Sequence, residues 1–251
     1  MKSQTLFDAA AGIGDLLLAT PGCHGTLPEL LDEMDRLSIA KALAWHRPCL
    51  AIDPLLSNRR FDKLAGKEKR IVRAWAAVPD TAGKVPKAEK FVDQLIRSGA
   101  RAAKLFPVTM NWSLEEWCSG PLLSALEERR VPTILIFNET TLPALESMLD
   151  AHPDLPVIFS ELNYRQNRML FALLERHPNL HIDTAPPYSV HLGLETLSAK
   201  GLSSRVLFGT AWPKCDSGPA ISQLMYAQIP LKERDAIGQG NLERLLKGVR
   251  A

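Results

Sequence analysis

Glu161, His46 and Lys104 are the residues whose types and positions best suit chemistry in this 251-residue chain. Each stands at the end of a short apolar run. A carboxylate at 161 can act as a general base once desolvation raises its pKa. It can equally hold a helix start at Tyr164–Arg168, because acids favour helix N-termini. His46 can serve as acid, base or metal ligand. Lys104 can anchor a substrate carboxylate or form an internal ion pair with Glu161 or Asp183. Asp8, His24, Asn138, Asn163, Asp183 and Trp212 occupy comparable positions and complete a candidate pocket, over which His191 can also fold.

The other histidines read as structural. His152 and His177 each precede a proline at a helix end, where imidazole compensates the helix dipole. His181 starts a strand. Trp45, Trp112, Trp117 and Trp212 either line a pocket or fill the core. Asp8 reads as a residue that organises the turn around Gly12 and Gly14. The clusters Arg59-Arg60 and Lys67–Arg73 read as solvated faces.

Several chemistries are excluded. Cys23, Cys49, Cys118 and Cys215 contain no CxxC pair, which removes zinc-ribbon and thioredoxin readings. The chain has no GxSxG nucleophile elbow and no GxxxxGK[ST] phosphate loop. Gly12-Ile13-Gly14 begins a dinucleotide fingerprint, but Leu17 stands where its third small residue belongs.

The elements that must position these residues recur along the chain. Apolar or β-branched runs fall at Gln4–Asp8, Ala40–Trp45, Ile71–Val78, Arg101–Leu105, Thr133–Phe137, Val157–Ser160, Leu180–Asp183 and Arg205–Phe208. Amphipathic stretches lie between them at Leu27–Leu37, Lys87–Ser98, Leu142–Ala151 and Asn167–His177. Ile221–Gln228 and Leu231–Lys247 close the chain, the latter with a break predicted at Gly238 and Gly240. Thr26 and Glu29 form a capping-box pattern ahead of Leu27. Strand then helix, eight times in about 250 residues, predicts one α/β domain over 1–251, a (β/α)8 barrel, with a doubly wound sheet as the rival. In a barrel the active site lies at the carboxyl ends of the strands, which is where the candidates fall.

Composition agrees with a globular protein: 46% of residues are hydrophobic and 23% are charged. The formal net charge of +2 provides no strong field for nucleic acid or an anionic membrane. Asp8 and Asp15 interrupt the Ala- and Leu-rich amino terminus, which argues against an export signal and leads to the expectation of a cytoplasmic protein. A homo-oligomer is compatible with this composition.

Five segments carry a family resemblance. LLDEMDRLSIAKALAWH at Leu30–His46, AKLFP at Ala103–Pro107, the block Leu155–Asp183, RVLFGTAWP at Arg205–Pro213 and NLERLL at Asn241–Leu246 occur in order. Together they resemble the amidohydrolase-related metal-dependent hydrolases, a branch that also contains decarboxylases. The resemblance implies a barrel, a divalent metal such as zinc, and hydrolysis or decarboxylation of small organic acids, lactones or amides.

The ligand positions of that family read differently here. Its first strand ends in D-x-H-x-H, whereas Asp8 is followed by Ala10 and Gly12. Phe137, with Asn138 beside it, replaces the fifth-strand histidine, and Ser160-Glu161 stands near that of the sixth strand. Ala211 replaces the last-strand aspartate. A zinc ion needs about three or four N, O or S donors, which alanine, glycine and phenylalanine do not supply. The expectation is therefore a barrel without the ancestral metal or any other cofactor. Its mouth would bind a small molecule or a partner subunit without catalysis. The alternatives are a metal-independent enzyme using Glu161, His46 or Lys104, and a hydrolase holding its metal through His24, His46, Glu161 and Asp183.

Overall fold

The computed structural model describes residues 5–15, 24–188 and 190–250. Eight strands form one parallel sheet in sequence order: β1 (Leu6–Ile13), β2 (Ile39–His46), β3 (Ile71–Ala77), β4 (Ala102–Leu105), β5 (Thr133–Ile136), β6 (Val157–Ser160), β7 (Leu180–Asp183) and β8 (Val206–Leu207). The circle closes where β1 meets the chain at and after β8. Ala9 N donates to Phe208 O at 2.8 Å and Gly12 N to Trp212 O at 2.7 Å. The result is the nearly closed (β/α)8 barrel that the alternation predicts.

Each strand is followed by a helix: α1 (Leu27–Arg36), α2 (Pro54–Ala65), α3 (Ala88–Ser98), α4 (Glu116–Glu128), α5 (Leu142–Ala151), α6 (Asn167–Arg176), α7 (Gly193–Ala199) and α8 (Gly218–Tyr226). Thr26 and Glu29 form the anticipated capping box, with Glu29 Oε2 accepting from Thr26 N at 2.8 Å. His152 and His177 sit at the carboxyl-terminal caps of α5 and α6. The His152 ring also bridges Glu116 of α4 at 2.7 Å and Glu127 at 3.0 Å.

Three helices escape the apolar pattern for identifiable reasons. α2 buries Ser57 and Asn58 among its contacts, so its inner face is not continuously apolar. α4 carries Gly120 and Pro121 internally, and α7 has only seven residues. The closing helix does not break at its glycines: the backbone stays helical throughout and Gly238 and Gly240 are taken up in a widened turn. α9 (Leu231–Asp235) leads through a π-helical turn at Ala236–Gly240 into α10 (Asn241–Lys247).

Strand alternation divides the core. Phe7, Ala9, Leu43, Ala74, Ala102, Ile134, Ile158 and Leu207 fill the barrel, and Leu242 and Leu246 of α10 join this cluster. Their neighbours in each strand face the helices in a second, larger apolar cluster.

Two further local expectations are corrected. β1 runs on to Ile13 rather than ending at Asp8, so Asp8 lies within a strand. Arg73 is buried rather than solvated. Its guanidinium pairs with Asp62 of α2 and donates to Ser98 O at 2.5 Å, because β3 places it between α2 and the end of α3.

No helix among the described residues is long and apolar enough to cross a membrane. No disulfide joins Cys49, Cys118 and Cys215. Cys23 and Leu17 lie outside the described residues.

Candidate functional site at the barrel mouth

Lys104 is the central charge of the mouth. It lies in β4 with the parity of Ala102, which faces the interior, and is 2% exposed. Its Nζ stands 4.4 Å from the centroid of the Trp45 ring and 5.8 Å from that of Phe106. Aromatic faces attract a cation, more strongly when water is excluded. Among the described residues no carboxylate lies within 4 Å of this ammonium and no side chain hydrogen-bonds to it. Burial pushes the Lys104 pKa down, while Glu161, Asp183 and Cys49 favour its charged form from a longer distance. The internal ion pair is thus replaced by a looser electrostatic group.

Asp183 closes β7 and is fully buried. Its Oδ1 accepts from Ala185 N at 3.0 Å, whereas Oδ2 has no hydrogen-bond partner. Burial pushes its pKa up to about 7, opposed by Ser160, the Ala185 amide and Lys104. The Ser160 hydroxyl is likewise buried without a well-formed hydrogen bond. Glu161 follows directly in a left-handed conformation (φ 54°) and forms an ion pair with Lys214 in the loop after β8. Lys104, Asp183, Ser160, Glu161 and Lys214 therefore make one electrostatic cluster drawn from β4, β6, β7 and the loop after β8.

The floor beside Asp183 is apolar. Ala10, Ala185 and Ala211 form a small buried cluster with Cys215 packed against it. A Cβ on Gly209 would lie 3.1 Å from Cβ of both Ala10 and Asp183, so a larger residue there would crowd both neighbours. The position of Gly12 is crowded in another way. A Cβ there would stand 2.9 Å from Cδ of Arg47 and 3.3 Å from Nε1 of Trp45. The buried Arg47 side chain fills the volume that a larger residue 12 would need. Phe137 packs against Phe159 at 6.1 Å between ring centroids, and Ala211 adopts φ 57°. Among the described residues no group of three His, Cys, Asp or Glu side chains is arranged to hold a metal ion.

Asp8 belongs to this end of the barrel but is fully engaged. Its Oδ1 accepts from the amides of Ala10 at 2.9 Å and Thr210 at 3.0 Å, and its Oδ2 from the Thr210 hydroxyl at 2.5 Å. It ties β1 to the segment after β8 rather than shaping the Gly12–Gly14 turn. Burial raises its pKa against the lowering effect of those hydrogen bonds.

The remaining candidates disperse. His46 turns away from the interior because Leu43 and Trp45 take the inward positions of β2. Its Nδ1 is 2.6 Å from Ser57 Oγ, and its ring stacks on Phe61 of α2 with centroids 5.6 Å apart. Burial, with Arg60 nearby, pushes its pKa down to about 4. His24 is exposed in a groove between α1 and the loop after β8, which Trp212 also lines. Asn138 is exposed. Asn163 accepts from Arg165 N at 3.0 Å and so caps a short 3-10 turn. Trp117 is 80% exposed, whereas Trp112 lines a ≈ 480 Å³ cavity with Met110 and Cys49.

Pattern reading missed Lys214 and Arg47. Lys214 immediately follows the Trp212-Pro213 element and Arg47 immediately follows β2, so both had the strand-end signal used for the other candidates.

The comparisons with known proteins agree with this architecture. A family model for amidohydrolases matches residues 30–248, and the chain belongs to that family. No curated protein matches it. An uncharacterised TIM-barrel protein from Bordetella bronchiseptica superposes with a TM-score of 0.76 at 18% identity, over 97% of this chain and 99% of that one. A putative 2-pyrone-4,6-dicarboxylic acid hydrolase from Pseudomonas putida gives 0.73 at 15% identity, over 98% of each chain. A dihydroxybenzoic acid decarboxylase from Polaromonas sp. JS666, with bound manganese and the inhibitor 2-nitroresorcinol, gives 0.73 at 14% identity, over 99% and 98%. At these identities the likeness shows the fold.

Proposed function

We propose that the barrel mouth binds a small organic acid through Lys104 without a resident metal ion. One observation carries this reading: a buried ammonium lies over Trp45 with no carboxylate of the described residues within 4 Å. An unpaired buried charge is costly, and a ligand carboxylate offsets that cost when it docks. Trp45, which is half-buried, can meet the apolar part of such a ligand. The solved relatives described as a dicarboxylic acid hydrolase and a dihydroxybenzoic acid decarboxylase support small carboxylic acids as the ligand class.

The donor set supports the metal-free part. A divalent ion needs about three or four well-placed donors. Here Ala10 and Ala211 offer none, Arg47 crowds position 12, and Thr210 and the Ala10 amide already engage Asp8. A lysine ammonium is also present in the mouth and would repel a metal ion.

Binding without turnover is the first reading. A second, metal-independent catalysis, is favoured by Asp183. With a pKa of about 7 and electrostatic coupling to Lys104, it can hold or release a proton near neutrality.

Calorimetry with 2,6-dihydroxybenzoate, phthalate and citrate tests the proposal, with Lys104→Met as the decisive variant. At least one acid should bind the native protein and lose about tenfold or more in affinity in the variant. Equal affinity in both would refute the anchoring role. Elemental analysis accompanies it, and a stoichiometric transition metal in the purified protein would overturn the metal-free reading. Product analysis of the bound acid separates binding from turnover.

A further inference from the structure

The opposite end of the barrel holds a separate cleft of ≈ 440 Å³, lined by Arg130, Arg205, Arg244, His181 and Ser204 together with Pro156 and Pro178. These residues precede or begin β5, β6, β7 and β8, or lie on α10, so the cleft is on the amino-terminal face. Among the described residues its lining contains three guanidinium groups and no carboxylate.

Those guanidiniums are held by neutral acceptors. Arg205 Nη1 donates to the carbonyls of His177 at 3.2 Å and Leu180 at 2.9 Å, and also to that of Pro178. Arg244 donates to Asn241 Oδ1 at 3.0 Å and Ser204 O at 2.8 Å. Of the three, only Arg130 meets an acid among the described residues, the exposed Asp154 at 3.6 Å. The carbonyls fix the arginine geometry without cancelling the positive charge. Electrostatics records the imbalance: burial and then Arg244 lower the Arg205 pKa. Burial, together with Arg205 and Arg244, pushes His181 down to about 4, so its ring is uncharged at neutral pH.

We propose that this cleft binds a phosphate-bearing small molecule, held by Arg244, Arg205 and Arg130. Planar guanidinium forks match phosphate oxygens in pairs, and a doubly charged group offsets more of the clustered positive charge than one carboxylate does. The volume suits a ligand larger than a lone phosphate ion. The site is remote from the mouth and independent of the function proposed there.

Calorimetric titration with pyrophosphate at pH 7 and low salt tests it. Native protein should bind one equivalent. Arg244→Gln and Arg130→Gln should each weaken binding about tenfold while keeping the native melting temperature within a few degrees. Arg59→Gln, which removes an exposed charge from α2, should leave it unchanged. Malonate should bind at least about tenfold more weakly than pyrophosphate. Absence of binding, equal weakening by Arg59→Gln, loss in Lys104→Met instead of Arg244→Gln, or malonate binding as tightly would each overturn the assignment.

Discussion

The carboxylate of Asp8 and the hydroxyl of Thr210 meet at 2.5 Å, and through this contact the first strand grips the segment that follows the last. The Thr210 amide adds a second hydrogen bond at 3.0 Å. The seam of the barrel is therefore fastened at the mouth by a side chain as well as by backbone pairing.

Asp8→Ala should lower stability by about 1–3 kcal/mol, because it leaves the buried Thr210 amide and hydroxyl without their acceptor. Thr210→Val should cost less, since the Asp8 carboxylate keeps its two amide donors. Urea denaturation of both variants measures the order, and a neutral Asp8→Ala would show that the seam does not depend on this contact.

Asp183 should make stability depend on pH. Its folded pKa of about 7 lies above the ordinary value of 3.8. As pH rises from 4, the unfolded chain releases this proton first while the folded state retains it. Stability should therefore fall between pH 4 and about 7, on the order of 1 kcal/mol per unit, and level off above. Asp183→Asn should flatten that slope. The same ionisation places a negative charge in the electrostatic reach of Lys104, so affinity for an organic acid should weaken above about pH 7 in the native protein and change less in the variant.

Lys104→Met should raise stability while removing ligand affinity. Desolvation disfavours the buried ammonium, and an apolar chain of similar length fits over Trp45 without that cost. A gain on the order of 1 kcal/mol in thermal or chemical unfolding is expected, the usual trade between a functional site and stability. A loss of stability would show that the cation–π contacts outweigh desolvation.

Arg73→Met should cost about 3 kcal/mol. It strands Asp62, which also accepts from Trp75 Nε1 at 3.0 Å, and it frees the Ser98 carbonyl at the end of α3. Denaturation of Arg73→Met beside the exposed-site variant Arg59→Gln separates this from loss of charge alone.

The strand–helix beat was legible because it depends on local periodicity: alternating strands and amphipathic helices bury one face each. So were the strand ends where Lys104, Glu161 and Asp183 stand, and the donor-poor residues Ala10, Gly12, Phe137 and Ala211. Helices α2 and α4 were not legible, since Asn58 and Ser57 are buried by long-range contacts and Pro121 breaks the local pattern. Asn58, for instance, donates to Ala76 O at 2.8 Å, eighteen residues away.

By itself, then, the sequence determined the barrel and which residue types would border its mouth. Only the tertiary structure decided which of them converge. Side-chain direction follows strand parity, so one step along β2 sends Trp45 to the interior and His46 to Ser57 on α2. Proximity between β4 and β7, or between Arg130 and Arg244, arises from closing the sheet and packing α10 beneath it. Those contacts join residues far apart in the chain, where no local spacing records them.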